Sequence, residues 1–403
     1  MKIWIEKEQC NLCKICVKAC VYNAIHWENE PIINDNCIYC GLCVQKCPKK
    51  AIILEGAESK NISLEGNYWI YMEQGPQGSS ENSLEIISRL NNIRKNKDSK
   101  ICCVSIGSEP NANEIEKIRL AGAEILYVLS SPALTSYQAL SFTDILSAFC
   151  QKEKPLAFLF PASEKGRDLA PRLATVLQTG LTADCTELSI DDIGLLIQTR
   201  PAFSGDLMAS IICPYFRPQM ATVRAHSYKI EPATIQDTIE VHLLPVEISQ
   251  QADSIGKCKI LSRDAIVHEF DPVDQKKIVI SIGRGIGSEE QVKSIIDFAR
   301  SIDAGIGCSR PIVDKGWLPQ SQQVGMSGKA VAPKLYIALG ISGSVQHLSG
   351  IQSSEYILAV NHDENAPIFK IAHMGIVGDI KKLMPEIRKW VAAYIEKEKT
   401  TES

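Results

Sequence analysis

The stretch IVISIGRGIG (residues 278–287) joins an apolar run to a glycine-rich turn, and a helical pattern follows it directly. The apolar positions of that pattern, spaced as on one helix face, are Val292, Ile295, Ile296, Ala299 and Ile302. Strand, turn and helix in this order form the unit of a parallel α/β sheet. Because Ser288 stands in the final place of G-x-G-x-x-G, the turn alone predicts only a phosphate site at a strand's carboxyl end. Asp303 suits either a ribose contact or a solvated acid.

The same alternation of strands and helices extends in both directions along the chain. Short apolar runs predict strands at 68–72, 101–106, 124–129, 155–160, 335–339 and 356–360. A helical pattern begins at Asp168, and a final amphipathic helix is expected over 380–396, with Leu383, Met384, Ile387, Val391 and Ile395 inward. Residues 397–403 are expected to form a charged, frayed tail. The fold class is therefore α/β with parallel sheets.

The N-terminal segment is different, because eight of the 15 cysteines lie between Cys10 and Cys47. They form two runs of C-x2-C-x2-C-x3-C, the spacing of ferredoxins that hold two 4Fe–4S clusters. In such ferredoxins the fourth cysteine of each run ligates the other cluster. The predicted ligand sets are Cys10, Cys13, Cys16 and Cys47 for one cluster, and Cys37, Cys40, Cys43 and Cys20 for the other. Zinc is the alternative, but two complete triple-spaced runs make it improbable. The apolar segments at 3–5 and 52–54 should pair as strands.

Composition sets further limits on the function. The net charge of −4 gives no reason to expect nucleic acid as a partner. No apolar run is long enough to span a membrane, and the N-terminus does not read as a signal peptide. Seven scattered cysteines beside one dense group indicate a reducing compartment, so we expect the cytoplasm.

Longer motifs carry a specific resemblance. The stretches GCSRPIVDKGWLP (307–319), QVGMSGKAVAPKLYIALGISGSVQHLSG (323–350), AVNHDENAPIF (359–369) and GIVGDIKKLMPE (375–386) resemble the FAD-binding domain of electron-transfer flavoprotein alpha subunits. GRDLAPRLA (166–174), TGLTADC (179–185), QTRPAFSGDLMA (198–209) and CPYFRPQMATVR (213–224) are similar to the first domain of that family. The resemblance covers roughly residues 68–396.

Composition and the resemblance together predict the domain organisation. The cysteine-dense residues 1–56 should form an α+β ferredoxin-like module, and the polar residues 57–66 a linker. By the resemblance, two domains follow. Residues 67–265 would form the first α/β domain, and 266–403 a Rossmann-like FAD-binding domain.

It also implies roles at particular positions around FAD. Arg284 would lie near the pyrophosphate or the isoalloxazine edge, and Arg310, after Ser309, against the ring. The Ser327 hydroxyl would bond N5 from a loop at the reactive edge, which consists of Val324, Gly325, Met326 and Ser327. Glutamine is common at position 326 and threonine at position 327, so this chain departs from the family pattern at both.

The remaining implied contacts are with the phosphates and the adenosine. Backbone N–H groups would bind phosphates in the turn Ser342, Gly343, Ser344, Val345, Gln346 and His347. His347 would also reach the flavin O2 atom. The adenosine end would contact Asn361, Asp379 and Ile380. Arg200, Arg217 and Arg224 are either solvated or, by the resemblance, part of the first domain's approach to a partner subunit.

The implied function is electron transfer rather than catalysis by the isolated chain, and no catalytic residue is predicted. FAD would exchange electrons with the clusters, which carry one electron at a time. The partners would be a beta subunit holding AMP or a second FAD, an acyl-CoA dehydrogenase or similar flavoenzyme, and ferredoxin. With a second FAD the complex could bifurcate electrons from NADH. A self-contained NAD(P)H–ferredoxin oxidoreductase and an iron–sulfur redox sensor are the alternatives.

Overall fold

The computed structural model describes residues 2–20, 24–34, 37, 41–55, 64–75, 78–130, 134, 136–192, 194–202, 207–233, 238–246, 261–262, 264 and 269–401. The chain divides into two compact units, Met1–Ser63 and Leu64–Ser403.

The first unit is a small α+β module. Its outer strands β1 (Lys2–Ile5) and β4 (Ile52–Glu55) pair antiparallel, with Trp4 opposite Ile53, which confirms the predicted pairing of the two apolar segments. The elements between them are α1 (Ile15–Ala19), β2 (Ile25–Trp27), β3 (Pro31–Ile33) and α2 (Leu42–Lys46). A small core of alternating apolar and cysteine side chains includes Cys16, Ile25, Cys43 and Ile52.

The second unit begins with a seven-stranded parallel sheet. In chain order its strands are β5 (Tyr68–Tyr71), β8 (Ile101–Ile106), β9 (Ile125–Ser130), β10 (Ala157–Pro161), β11 (Leu181–Cys185), β15 (Gln219–Val223) and β16 (Glu240–Pro245). They lie in the order β11-β15-β10-β5-β8-β9-β16. Helices flank the sheet, and β5, β8 and β10 are buried on both faces, so their sequences are continuously apolar. The helices are α3 (Glu81–Ile93), α4 (Ala112–Ala121), α5 (Ala139–Glu153) and α6 (Glu164–Val176).

Two smaller antiparallel sheets accompany this domain. A short hairpin joins β6 (Gln74–Gly75) to β7 (Gly78–Ser79). Three further strands, β12 (Glu187–Ile190), β13 (Leu196–Ala202) and β14 (Leu207–Ile211), form a sheet in which β14 is an edge strand.

A five-stranded parallel sheet follows. Its strands are β17 (Ile278–Ile282), β18 (Gly305–Cys308), β19 (Leu335–Leu339), β20 (Tyr356–Asn361) and β21 (Met374–Val377), in the order β18-β17-β19-β20-β21. The accompanying helices are α7 (Glu289–Ser301), α8 (Arg310–Asp314), α9 (Val345–Leu348) and α10 (Ile380–Thr401). The chain leaves β17 on one side to form β18 and returns on the other to form β19. A doubly wound sheet of this kind opens a crevice at the carboxyl ends of the strands, at the point where the strand order reverses beside β17.

Two helix boundaries differ from the sequence predictions. The helix expected from Asp168 begins four residues earlier at Glu164, because the Ser163 hydroxyl accepts from the Gly166 N–H at 3.0 Å and caps it. The last helix continues to Thr401 instead of ending at 396, so residues 397–401 are helical rather than frayed. Within the described residues, no helix has the length and apolar character needed to cross a bilayer.

Candidate cofactor-binding sites

A cleft of about 980 Å³ lies at the carboxyl ends of the strands of the five-stranded sheet. Residues that follow four of these strands line it: Arg284 after β17, Arg310 after β18, Ile341 after β19 and His362 after β20. The cleft therefore occupies the crevice that the strand order creates, where doubly wound sheets bind nucleotides.

Glycines allow the loops that form the cleft to pack against one another. A Cβ atom on Gly283 would lie 2.2 Å from the carbonyl oxygen of Gly340, and one on Gly340 would lie 2.8 Å from the carbonyl carbon of Gly285. Gly340 also has a φ of +67°, which side chains disfavour. In the GRGIG turn, Gly283 and Gly285 thus permit close contact between the loops after β17 and β19. Only Arg284 and Gly285 of this turn line the cleft.

The structure brings together most of the residues predicted to contact FAD. Thirteen of them line the cleft: Arg284, Ser309, Arg310, Val324, Gly325, Met326, Ser327, Ser342, Gly343, Ser344, Gln346, His347 and Asn361. Asn361 also has a structural task, because its side-chain amide donates to the Ile341 carbonyl at 2.9 Å and joins β20 to the loop after β19.

Three predicted contacts lie outside the residues that line the cleft. Val345 is exposed at the start of α9. The Asp379 carboxylate accepts from the Lys381 N–H at 2.8 Å and so caps α10. Ile380 is buried in the core on the α7–α10 side of the sheet.

Other residues of the cleft were not predicted from the sequence. They are Gly285, Pro311, Gln323, Gly340, Ile341, His362 and Asp363. Several follow a strand directly or adjoin a motif residue, so the rule that crevices form at strand ends could have found them.

Asp303 does not lie at this end of the sheet. It precedes β18, and its exposed carboxylate forms an ion pair with Lys276 at 2.6 Å. The ribose contact is wrong because the strand's amino end faces away from the crevice, and the alternative of a solvated acid is correct.

His347 shows that the cleft suits a polar ligand. Its side chain is only 4% exposed, and Nε2 lies 2.9 Å from the Tyr336 hydroxyl. The other ring nitrogen, Nδ1, is a buried atom with no hydrogen-bond partner among the described residues. Burial lowers the pKa of His347 to about 4, while the Val324 carbonyl opposes this shift. A neutral ring with one unpaired nitrogen is satisfied when a ligand group bonds to it.

The loop predicted at the reactive edge also holds a hydroxyl in place. The Gln323 amide donates to Ser327 Oγ at 2.8 Å, which leaves the Ser327 O–H proton free to bond to a ligand. Arg284 and Arg310 add two cationic groups, against the single carboxylate of Asp363. This donor set fits an anionic dinucleotide such as FAD.

Four cysteines from both runs surround one cavity in the first unit. Cys10, Cys13, Cys16 and Cys47 line it, which is the set predicted for one cluster. Among the described residues, no three His, Cys, Asp or Glu side chains form a single-ion site. Cys40 lies outside the described residues, so the second predicted set is placed only in part.

The two cysteine runs also have matching local geometry. The Ala24 N–H donates to Cys20 Sγ at 3.2 Å, and the Ala51 N–H donates to Cys47 Sγ at 3.3 Å. Lys14 and Gly41 hold equivalent left-handed positions, with φ of 61° and 74°, before α1 and α2. N–H bonds to ligand sulfurs are one means by which a protein sets the potential of a cluster.

The three arginines left open by the sequence are partly shielded from solvent. Arg200, Arg217 and Arg224 are all half-buried. Burial lowers the pKa of Arg217 and of Arg224, and Asp184 opposes the shift at Arg224 from 3.6 Å. Arg224 Nη2 donates to the Met326 carbonyl at 3.5 Å, so it joins the first α/β domain to the loop of the cleft.

A doubly wound parallel sheet with a polar cleft at its switch point defines a dinucleotide-binding protein, here with a cysteine-rich ferredoxin-like module before it. The sequence matches the electron transfer flavoprotein domain over residues 68–248 and the electron transfer flavoprotein FAD-binding domain over residues 272–352. It matches a 4Fe-4S dicluster domain over residues 9–52.

Relatives agree with these matches. The alpha subunit of the electron transfer flavoprotein from Thermoanaerobacterium thermosaccharolyticum is 41% identical over 80% of this chain and 97% of that protein. Protein FixB from Clostridium saccharobutylicum is 36% identical over 81% of this chain and 96% of its own length. The LctC subunit of a lactate dehydrogenase (NAD(+),ferredoxin) from Acetobacterium woodii is 32% identical over 92% of this chain and 88% of its length.

The chain therefore belongs to the electron transfer flavoprotein alpha-subunit family and carries an N-terminal 4Fe–4S domain. Its function is electron transfer with FAD and iron–sulfur cofactors, and an alpha subunit implies a beta-subunit partner. The match to LctC spans 373 residues, more than lie between Leu64 and Ser403, so it extends into the ferredoxin-like module.

Proposed function

We propose that this chain is the alpha subunit of a bifurcating electron-transfer flavoprotein, in which one FAD and two 4Fe–4S clusters relay electrons from NADH to ferredoxin and to an acyl-CoA dehydrogenase or similar flavoenzyme. The observation that carries the flavin assignment is the cleft at the switch point, with the unpaired Nδ1 of buried His347. The similarity to LctC, a subunit of a lactate dehydrogenase (NAD(+),ferredoxin), supports the bifurcating role.

Each group in the cleft has a task in this proposal. FAD supplies the ability to exchange one or two electrons, which clusters lack. Arg284 and Arg310 attract its negative charge, and His347 and Ser327 provide directional hydrogen bonds. Gly325 keeps the loop close to α9, since a Cβ atom there would lie 2.6 Å from the Gln346 carbonyl oxygen.

The clusters provide a one-electron path. We assign one cluster to Cys10, Cys13, Cys16 and Cys47, which share a cavity. The second is assigned to Cys37, Cys40, Cys43 and Cys20 by the internal repeat of the module.

A beta subunit has a suitable surface on the first α/β domain. Edge strand β14 exposes Leu207 (59%) and Met208 (55%), and the segment after it exposes Ile212, Tyr215 and Phe216. An unpaired strand edge with adjoining apolar side chains is typical of a protein–protein interface. We assign this surface to the beta subunit, which would carry AMP or a second FAD.

The decisive experiment is anaerobic co-expression with its beta subunit, followed by cofactor analysis and kinetics. We expect one FAD in the alpha chain, a further FAD in the beta subunit, and NADH-dependent reduction of ferredoxin only when a second, higher-potential acceptor is present. Ferredoxin reduction without the second acceptor would contradict bifurcation. NADH–ferredoxin activity of the isolated chain would instead favour the self-contained oxidoreductase.

A further inference from the structure

Tyr336 is a completely buried polar side chain beneath the cleft. It lies on β19 and packs among Val279, Val324, Ala338 and Ile351 on the face of the sheet opposite α7 and α10. Burial raises the pKa of its hydroxyl, so the phenol stays protonated. Its hydroxyl lies 2.9 Å from His347 Nε2, and the Ser281 hydroxyl also interacts with it. A buried hydroxyl destabilises the folded protein unless it forms hydrogen bonds.

Counting donors and acceptors assigns the direction of that bond. The neutral imidazole carries a hydrogen on only one nitrogen. If Nε2 held it, the ring would donate to Tyr336, the phenol hydrogen would have to turn to Ser281, and the Nδ1 lone pair would be buried without a donor. If Nδ1 holds it, the phenol donates to Nε2 and only the Nδ1–H is left over. The second arrangement is favoured because the Val324 carbonyl accepts from a ring N–H, whereas a buried Nδ1 lone pair has no donor.

We propose that Tyr336 is a positioning residue, which donates to Nε2 of His347 and thereby holds the ring in the Nδ1–H tautomer that offers a hydrogen-bond donor to the cofactor in the cleft. The inference rests on the proposed function, because it takes the cofactor to be a flavin that accepts from His347. It adds a residue that does not itself line the cleft.

The arrangement has a consequence for the potential. A fixed neutral N–H donor bonds more strongly to an acceptor that becomes richer in electrons, so it favours the reduced cofactor. A ring free to change tautomer would present a lone pair for part of the time and lose this preference. Histidines that bind metals use the same principle, since the partner of one nitrogen decides the state of the other.

The tautomer can be measured directly in Tyr336→Phe, which removes one hydroxyl and keeps the ring that fills the core. The protein is the full chain with its beta subunit and ¹⁵N-histidine, with the His347 signal assigned from His347→Gln. We expect the parent to show a protonated Nδ1 and an unprotonated Nε2, both with FAD and after FAD removal, and Tyr336→Phe to lose this fixed state. An Nε2–H tautomer in the parent would overturn the proposal.

Potentiometry provides the second readout. Tyr336→Phe should still bind FAD. Its first reduction potential should fall by up to about 59 mV, which is a tenfold change in the one-electron equilibrium against the reduced form. The matched control is Tyr356→Phe, which removes a hydroxyl from neighbouring strand β20, where the ring stacks on His373 instead. It should change neither the tautomer nor the potential.

A double mutant separates positioning from packing. Tyr336→Phe should have no further effect on the potential in the His347→Gln background if it acts through His347. An equal shift in both backgrounds, or an unchanged potential in the single mutant, would overturn the proposal. Absence of FAD from the parent complex would overturn the proposed function alone, since the tautomer is still read in the flavin-free chain.

Discussion

The guanidinium Nη2 of Arg224 lies 3.5 Å from the carbonyl oxygen of Met326. Arg224 directly follows β15 of the seven-stranded sheet, and Met326 belongs to the loop at the proposed reactive edge of the flavin. A second bond joins the same domains nearby, from the Ser353 hydroxyl to the His226 carbonyl. The loop that lines the cleft is thus supported by a residue from outside its own domain.

Replacing Arg224 should therefore weaken FAD binding. Arg224→Ala removes the bond to Met326, and we expect about a tenfold increase in the FAD dissociation constant, roughly the net value of one hydrogen bond to a charged group. Fluorescence titration of flavin-free protein with FAD measures it. Arg167→Ala is the control, because Arg167 pairs with the same Asp184 at 2.9 Å, whereas the bond to Met326 comes from Arg224. Equal effects of the two substitutions would contradict a role at the cleft.

Arg310 should raise the flavin potential. Its side chain is 73% exposed and lies 3.7 Å from Asp314, so it is available to a ligand in the cleft. Arg310→Ala removes a permanent positive charge and should lower the potential of the first reduction step by about 60–120 mV. This corresponds to a change of about ten- to a hundredfold in the one-electron equilibrium constant. Iron and sulfide content should not change. Asp314→Asn, which frees the guanidinium, should not lower the potential, and a decrease there would argue against this electrostatic role.

The cluster assignment predicts the effect of losing a single thiol. Cys47→Ser removes the ligand that the second run supplies to the first, so the anaerobically purified protein should fall from about eight to about four iron atoms. Cys213→Ser tests a half-buried thiol of the second unit and should leave the iron content unchanged. About four iron atoms in the parent would show that the chain holds one cluster.

The apolar edge at β14 should be required for the heterodimer. Leu207→Asp places a charge on this surface and should weaken association with the beta subunit at least about tenfold. Leu140→Asp, at a similarly exposed position on α5, is the control for solubility and folding. Sedimentation of the purified mixtures distinguishes them. An intact heterodimer with Leu207→Asp would place the interface elsewhere.

Glu85 and His226 should give opposite pH dependences of stability. Burial raises the pKa of Glu85 to about 7, so the folded state binds more protons than the unfolded state between about pH 4.5 and 7, and stability falls as pH rises there. Burial lowers the pKa of His226, although Asp274 and Glu81 oppose this shift. The stability of the folded protein therefore falls as the pH drops below the ordinary pKa of histidine.

The two substitutions separate these contributions. Glutamine does not titrate, so Glu85→Gln lacks the loss of stability that Glu85 causes as the pH rises. The difference in unfolding free energy between Glu85→Gln and the parent should therefore grow by about 2 kcal/mol in favour of the variant from pH 5.5 to pH 7. His226→Asn should change in the opposite direction. Urea titrations across this range measure both, and parallel curves for all three proteins would contradict the assignment.

Much of the site could be predicted because its signals are local. The apolar run at 278–282 is the strand β17 at the same residues, and Ser309 and Arg310 follow β18 into the cleft. Asp379 and Ile380 also serve the fold, because one caps a helix and the other fills a core, and neither fact is visible in a motif. Their contact with the adenosine stays a prediction. The missed Gln323 holds Ser327 across a loop, a contact that depends on how the chain folds back.

The sequence by itself determined the cofactor classes and the fold class, because cysteine spacing, strand length and glycine turns are properties of short segments. Tertiary structure alone decided which end of the sheet each segment reaches. It placed Asp303 at the amino end, beside Lys276, and it placed Arg224 against the Met326 loop. It also placed the Tyr336 hydroxyl 2.9 Å from His347 Nε2. Contacts between distant segments follow from the packing of the whole sheet, which no single stretch encodes.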